Sequence, residues 1–160
     1  MRIREYETPD EAGVLELVGR AWEPVFPEVD ALLGPGIARL LHSDDWRAHH
    51  REEIRGVLAD PAMTTWVADD DGAVVGVASA RVVDPRRAIG EVHLVGVDPL
   101  AQRRGIGAAL TRHAEEHLRA QGMRVSYVST GGDPGHARAR ELYSSLGYTL
   151  FPSAQFFKEL

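Results

Sequence analysis

The spacing of apolar and polar positions changes repeatedly along the chain and predicts elements in the order βααβββαβαββ. Alternating and short apolar runs predict strands over residues 2–6, 64–68, 73–83, 91–97, 124–129, 148–151 and 155–160. Helical spacing, bounded by capping and breaker residues, predicts helices over residues 8–21, 46–58, 108–120 and 136–146. This order predicts an α/β layered domain built around a mixed sheet.

Local signals set several of these boundaries. Thr8-Pro9-Asp10-Glu11 reads as a helix start with Thr8 as the cap, and Asp44-Asp45 reads as the cap of a second helix. The acidic turn Asp69-Asp70-Asp71-Gly72 predicts a hairpin between two strands. Residues 22–36 are rich in proline and glycine, and they predict an irregular connection.

Length and composition narrow the class of protein. A chain of 160 residues, 44% hydrophobic and 26% charged, is expected to form a single domain over residues 1–160. The start of the chain lacks the apolar core of a signal peptide, so a cytoplasmic location is expected, with no membrane partner. The absence of cysteine excludes disulfides and cysteine nucleophiles. A net charge of −6 argues against nucleic-acid binding, favours a cationic small substrate and leaves a homodimer open.

The stretch with the clearest chemistry is Gln102-Arg103-Arg104-Gly105-Ile106-Gly107, which lies between the strand over residues 91–97 and the helix that follows. The first N–H groups of a helix have no intrahelical partners, and the helix dipole favours negative charge there. Two arginines add donors suited to phosphate oxygens, and two glycines allow close approach of the backbone. The stretch, called the phosphate loop below, predicts an anionic-ligand site.

Three classes of ligand compete for this loop. A nucleoside triphosphate loop needs a Lys-Ser/Thr pair after its second glycine, where this chain has Ala108-Ala109. A dinucleotide loop needs a third small residue, where this chain has Leu110, and it should directly follow a strand, whereas residues 99–104 intervene. The remaining class is the pyrophosphate of a coenzyme A type molecule.

Two motifs resemble those of the GNAT superfamily of N-acetyltransferases. Residues 97–110 resemble the acetyl-CoA motif Gln/Arg-x-x-Gly-x-Gly/Ala, and residues 136–148 resemble Asn-x-x-Ala-x-x-Leu-Tyr-x-x-x-Gly-Phe/Tyr. The final strands and the element order are also similar to the family. The resemblance implies a twisted, mostly antiparallel mixed sheet of about six to seven strands flanked by about four helices.

The resemblance also implies which residues contact acetyl-CoA, the expected co-substrate. The strand backbone would bind the pantetheine arm, Gly96 would leave room on the opposite face, and the phosphate loop would wrap the pyrophosphate. His136 stands where the family usually has an asparagine that contacts the arm. The implied coenzyme-binding residues are Val95, Gly96, Val97, Gln102, Arg103, Arg104, Gly105, Ile106, Gly107, Ala108, His136, Ala139 and Tyr143.

Acetyl transfer to an amine needs a proton acceptor for the amine and a proton donor for the departing thiolate, because a free alkyl amine has a pKa of about 10.4. The resemblance places Tyr143 near the coenzyme sulfur, as the general acid. Glu91 is the candidate base, and His93 could relay the proton, directly or through water. Strand alternation predicts that Glu91, His93, Val95 and Val97 share one face of the strand.

The leading hypothesis is therefore direct transfer of an acetyl group from acetyl-CoA to a primary amine within a ternary complex. The acceptor would be a polyamine, an amino-sugar antibiotic, another small amine or a protein N-terminus. The rivals are a non-catalytic acyl-CoA-binding module and an enzyme that uses a longer acyl group or an oxygen acceptor. No metal is expected, because His113 to His117, which fits His-x-x-Glu-His, is better interpreted as a solvated or half-buried helix face.

Overall fold

The computed structural model describes residues 1–43 and 45–160. These residues form five strands and five α-helices. The strands are β1 Arg2–Glu5, β2 Thr64–Asp70, β3 Ala73–Asp84, β4 Ile89–Val97 and β5 Val125–Tyr127. The helices are α1 Glu11–Trp22, α2 Val25–His42, α3 Trp46–Ala59, α4 Ile106–Ala120 and α5 Ala137–Ser145.

The sheet has the order β1-β2-β3-β4-β5, so each strand pairs with its sequence neighbour. The first four strands are antiparallel, and β5 joins β4 in parallel after the crossover through α4. The predicted hairpin is confirmed, because Asp71 and Gly72 both have positive φ angles between β2 and β3. The result is a mixed, mostly antiparallel sheet, as expected.

Two hydrophobic layers hold the helices on opposite faces of the sheet. On one face, Leu17 of α1 and Ile54 of α3 pack against Val67, Val77 and Leu94. The other face is covered by α4, whose core-facing residues are Leu110, Ala114 and Leu118. Both layers contact β3 and β4, so these strands are packed on both faces of the sheet.

The two predicted N-terminal caps differ in outcome. A 3-10 turn, Thr8–Asp10, precedes α1, and Glu7 rather than Thr8 occupies its N-cap position. Asp10 is buried and receives two hydrogen bonds from Arg4, at 2.7 and 2.8 Å, which lower the pKa of its carboxyl. Asp45 caps α3 by accepting a hydrogen bond of 3.0 Å from Ala48 N, while Asp44 lies outside the described residues.

The prediction of an irregular connection over residues 22–36 is wrong. The segment is mostly helical, and α2 is interrupted only at Gly34, which has φ 77° and ψ 160°. Pro27 and Pro35 fall in the first turns of the two helical parts, where the missing N–H has no intrahelical partner to lose. Proline therefore begins helices in this segment, and the extra helix raises the count from about four to five.

The predicted final strands are also absent among the described residues. Residues 148–160 contain no strand, so the sheet has five strands instead of about six to seven. β5 is only three residues long, and Pro152 lacks the N–H that a sheet ladder needs. Leu150, Phe151 and Phe156 are consequently exposed. Across the described part of the chain, no helix combines the length and the apolar character that would let it cross a bilayer.

Candidate active site

β4 and β5 pair over a short distance and then separate. The parallel ladder joins Ile89 to Val125, Gly90 to Ser126 and Glu91 to Tyr127. Beyond Glu91, β4 continues to Val97 with β3 on one side and no described strand on the other. The opening, called the wedge below, exposes a strand edge whose backbone groups can pair with an extended, amide-containing ligand.

The phosphate loop lies at the end of this open edge. A 3-10 turn, Pro99–Ala101, follows β4, and α4 begins at Ile106, two residues before the predicted start. Gly105 takes the N-cap position with φ 78°, and no atom lies within 4 Å of the place where its Cβ would be. The loop backbone is therefore open to a ligand, as an anion site at a helix N-terminus requires.

The glycines at the site have two different roles. A Cβ on Gly107 would lie 3.2 Å from Leu142 of α5, so this glycine lets α5 approach the first turn of α4. A Cβ on Gly96 would lie 3.3 Å from Leu17, Trp22 and Val77, so this glycine lets α1 pack closely on β4. Ile106 is buried in the layer under α4 and presents only its backbone to the loop.

Gly105→Ala is expected to lower the free energy of unfolding by about 1 kcal/mol, because alanine pays a steric penalty at a left-handed position. The matched control is Gly19→Ala within α1, where a Cβ also meets nothing within 4 Å. That change should stabilise the protein by about 0.5–1 kcal/mol. Urea denaturation of both variants checks the opposite signs, and a Gly105→Ala variant as stable as wild type would contradict the left-handed assignment.

The prediction that Glu91, His93, Val95 and Val97 share a face is wrong. The register pairs Ala80 with Val92 and Ser79 with Leu94, so His93 is an extra, bulged residue. Leu94 consequently packs in the α1 layer, and both Val92 and Val95 pack in the α4 layer. The bulge reverses the alternation of the strand at His93, two residues beyond Glu91, the last residue paired with β5.

Glu91 and His93 are nonetheless in contact. Glu91 is only 6% exposed, and Arg81 Nε donates a hydrogen bond of 2.6 Å to its Oε2. Its other oxygen, Oε1, lies 3.3 Å from His93 Nδ1. Burial raises the pKa of Tyr127, and the negative charge of Glu91 across the β4–β5 pair raises it further. One carboxylate therefore connects a guanidinium to the more accessible imidazole, which is a geometry that orients the histidine ring.

Tyr143 lies on α5 and is 9% exposed. Its ring meets that of Tyr148 edge to face at 5.8 Å, and burial raises the pKa of Tyr143 to about 12. No hydrogen bond reaches its hydroxyl from the residues that the structure describes. The neighbouring Leu142 contacts the first turn of α4 at Gly107. Tyr143 is thus a protonated phenol on the helix that packs against the phosphate loop.

The segment before α5 contains a pair that sequence reasoning missed. Asp133 Oδ2 lies 2.6 Å from His136 Nδ1, and Arg140 Nη1 donates to the carbonyl oxygens of Gly131 and Asp133. His136 therefore keeps only Nε2 for a ligand, and Ala139 follows it on α5 as a half-buried residue. The signal was present, because Asp133 directly precedes Pro134, and Asp followed by Pro is typical of the N-cap and first position of a helical turn.

Two side chains of the phosphate loop, Arg104 and Gln102, have partners elsewhere in the fold. Arg104 Nη2 donates a hydrogen bond of 2.9 Å to Asp70 Oδ2 at the end of β2. Gln102 bridges two elements, since its Nε2 donates to the carbonyl of Val97 at 3.3 Å and its Oε1 accepts from Arg138 Nη1 at 2.7 Å. The structure thus places Gln102 against the end of β4, and it adds Arg138, which the sequence did not single out.

Two further histidines, both on α4, pack against a buried tryptophan of the sheet. His113 and His117 both meet the edge of the buried Trp66, with ring centroids 5.3 and 4.9 Å apart. Burial lowers the pKa of His117, as expected for a half-buried helix face. No group of three or more His, Asp or Glu residues able to hold a metal occurs within residues 1–43 and 45–160.

Curated proteins with similar sequences include named acetyltransferases. A mycothiol acetyltransferase from Beutenbergia cavernae is 42% identical over 90 residues, which cover 56% of this chain and 29% of that protein. The chain spans about a third of the length of such curated relatives.

Solved structures share the fold. The PaiA N-acetyltransferase from Thermoplasma acidophilum, in complex with coenzyme A, has a TM-score of 0.70 at 13% identity, over 96% of this chain and 92% of that one. An aminoglycoside 6′-N-acetyltransferase from Acinetobacter haemolyticus has a TM-score of 0.67 at 18% identity, over 100% and 99%.

The family model that matches is described as the acetyltransferase (GNAT) family, and it covers residues 29–148. That range contains the wedge, the phosphate loop and α5. The chain therefore belongs to the GNAT family of acetyltransferases.

Proposed function

We propose that residues 1–160 act as one N-acetyltransferase domain, which transfers an acetyl group from acetyl-CoA to a primary amine of a small molecule. The observation that carries the proposal is the wedge between β4 and β5, which leads directly to an open helix N-terminus. An extended amide arm ending in a pyrophosphate matches both parts of this site. Coenzyme A has that shape, and the PaiA structure was solved with it.

The residues present fit the coenzyme. The open edge of β4 at Val95 and Val97 would pair with the pantetheine arm, and the backbone at Gly105 and Gly107 would surround the pyrophosphate. His136 would contact the arm through Nε2, since Asp133 occupies Nδ1. In the neutral ring with a proton on Nδ1, Nε2 accepts a hydrogen bond, whereas the asparagine usual in the family can also donate one.

The proposed chemistry needs two proton transfers, one from the attacking amine and one to the departing sulfur. His93 accepts the proton of the attacking amine, and Glu91 positions its ring through Nδ1. Tyr143 donates a proton to the departing sulfur, because a phenol with a pKa of about 12 stays protonated at neutral pH. Direct attack is consistent with a chain that contains no cysteine to carry the acetyl group.

A small-molecule acceptor is supported by the relatives. One is named a mycothiol acetyltransferase and another an aminoglycoside 6′-N-acetyltransferase, and both names specify small molecules. The net charge of −6 favours approach of a cationic amine.

The test is an amine panel that includes polyamines, aminoglycosides, small amines and a peptide N-terminus, followed by release of free CoA thiol. Turnover with at least one small amine, and coenzyme binding in calorimetry at about 0.1 mM or tighter, is expected. Binding without turnover on any amine would favour a non-catalytic module. Absence of coenzyme binding would contradict the proposal, and turnover confined to the peptide would contradict the small-molecule acceptor.

A further inference from the structure

Of the two consecutive arginines in the phosphate loop, Arg104 already has an acidic partner. Arg104 donates a hydrogen bond to Asp70, whose carboxylate also lies 3.3 Å from the N-terminal ammonium of Met1. Arg104 is the main cause of the lowered pKa of the Asp70 carboxyl, so the two groups form a mutual ion pair. A guanidinium already facing a carboxylate at the end of β2 contributes less to a bound phosphate.

A different arginine reaches the loop from α5. Arg138 Nη1 donates a hydrogen bond of 2.7 Å to Gln102 Oε1, and Gln102 is held in turn by the carbonyl of Val97. Leu142 lies one turn after Arg138 on the same helix face, and it touches the first turn of α4 at Gly107. The face of α5 that carries Arg138 therefore packs on the loop.

The Arg138 guanidinium keeps its charge available. Gln102 is neutral and occupies one of five N–H donors, and the side chain is exposed. No acidic side chain in the described part of the chain forms a salt bridge with Arg138, in contrast to Arg104. A planar guanidinium with free donors, held at the mouth of a helix N-terminus, suits the bidentate recognition of phosphate oxygens.

We propose that Arg138, positioned by Gln102, binds the pyrophosphate of the coenzyme and supplies more of its binding energy than Arg104 does. The inference rests on the proposed function, because it concerns the coenzyme site of that activity. The proposal gives the first turn of α5 a direct role in binding the coenzyme, in addition to the role proposed for Tyr143 later in the same helix.

Calorimetric titration with CoA and with 3′-dephospho-CoA tests the assignment on four proteins. These are the wild type and the variants Arg138→Gln, Arg104→Gln and Arg119→Gln. Arg119 is the matched control, because it is exposed in the last turn of α4, at the opposite end from the loop. Arg138→Gln should weaken binding of both ligands about tenfold, which corresponds to about 1.4 kcal/mol. Arg104→Gln should lose clearly less, and Arg119→Gln should bind as wild type does.

Salt distinguishes a phosphate contact from a purely structural role. The deficit of Arg138→Gln should shrink between about 50 mM and about 500 mM salt, because screening weakens the ionic contact in the wild type. A deficit that is independent of salt, that disappears with 3′-dephospho-CoA, or that is matched by Arg104→Gln would overturn the assignment. If the wild type fails to bind CoA, the proposed function itself fails, whereas wild-type affinity in Arg138→Gln refutes only this inference.

Discussion

Replacement of Tyr143 by phenylalanine is expected to lower kcat by about 100-fold, with little change in affinity for acetyl-CoA. The phenol is 9% exposed, and its pKa of about 12 keeps it a proton donor throughout the neutral range. Phenylalanine preserves the ring contact with Tyr148 and removes only the hydroxyl group that carries the proton. Steady-state kinetics with a responsive amine separate the loss in kcat from any change in KM.

Tyr148→Phe is the matched control for this change. Tyr148 lies beside Tyr143, and its hydroxyl shares a hydrogen bond of 3.0 Å with Ser126 Oγ on β5. Its loss should cost about 1 kcal/mol of stability and leave kcat within a few-fold of wild type. Equal kcat in wild type and Tyr143→Phe would remove Tyr143 from the mechanism.

The pH profile gives an independent check on Tyr143. Burial raises the pKa of Tyr143 from 10.0 to about 12, so the protonated form persists to higher pH than in a free phenol. The acid function is present below the raised pKa and is lost only as the pH passes about 12. We therefore expect no fall in kcat between about pH 9 and about pH 10.5 from this group. A descending limb near pH 10 that vanishes in Tyr143→Phe would contradict the assignment.

His93→Ala is expected to lower kcat by about 100-fold at pH 7, because the bound amine then loses its proton acceptor. The deficit should narrow by about pH 10, where a growing fraction of an amine with a pKa of about 10.4 is already neutral. Measurement of kcat across this range with a single amine checks both parts. A deficit that does not change with pH would show that His93 serves another purpose.

Glu91→Gln is the companion variant for His93. Glutamine keeps the size of the buried side chain but removes the charge that faces Arg81 and His93 Nδ1. A smaller loss in kcat, with the same dependence on pH, is expected for a positioning residue. Glu91 itself would be the base if Glu91→Gln abolished activity while His93→Ala retained it.

The sequence predicted the central part of the fold correctly because its signals are local. The hairpin turn, the strand before the phosphate loop and the glycine loop each depend on a few neighbouring residues. The spacing of Gly105 and Gly107, followed by the tyrosine helix, was sufficient to indicate the family, and the family match confirms it. The start of α4 was predicted to within two residues of Ile106, because the glycine that precedes the helix is also a local signal.

The wrong predictions concern positions where the local sequence is compatible with more than one backbone structure. Pro27 and Pro35 read as breakers, but each lies in a first helical turn, where proline is tolerated. His93 fitted a regular alternation, but the register against β3 makes it a bulge. A bulge depends on the partner strand, and no pattern within one strand reveals it.

The sequence by itself determined that the chain is an α/β protein with a glycine loop that opens a helix and resembles the loop of the GNAT family, because backbone geometry at glycines and helix starts is local. Only the tertiary structure decided which side chains meet: Arg81 with Glu91, Asp70 with Arg104, and Gln102 with Arg138. These contacts join residues far apart in the chain, and they depend on strand register and helix packing. The wedge, where we propose that the donor binds, has the same origin, since it exists only because β5 leaves β4 after Glu91.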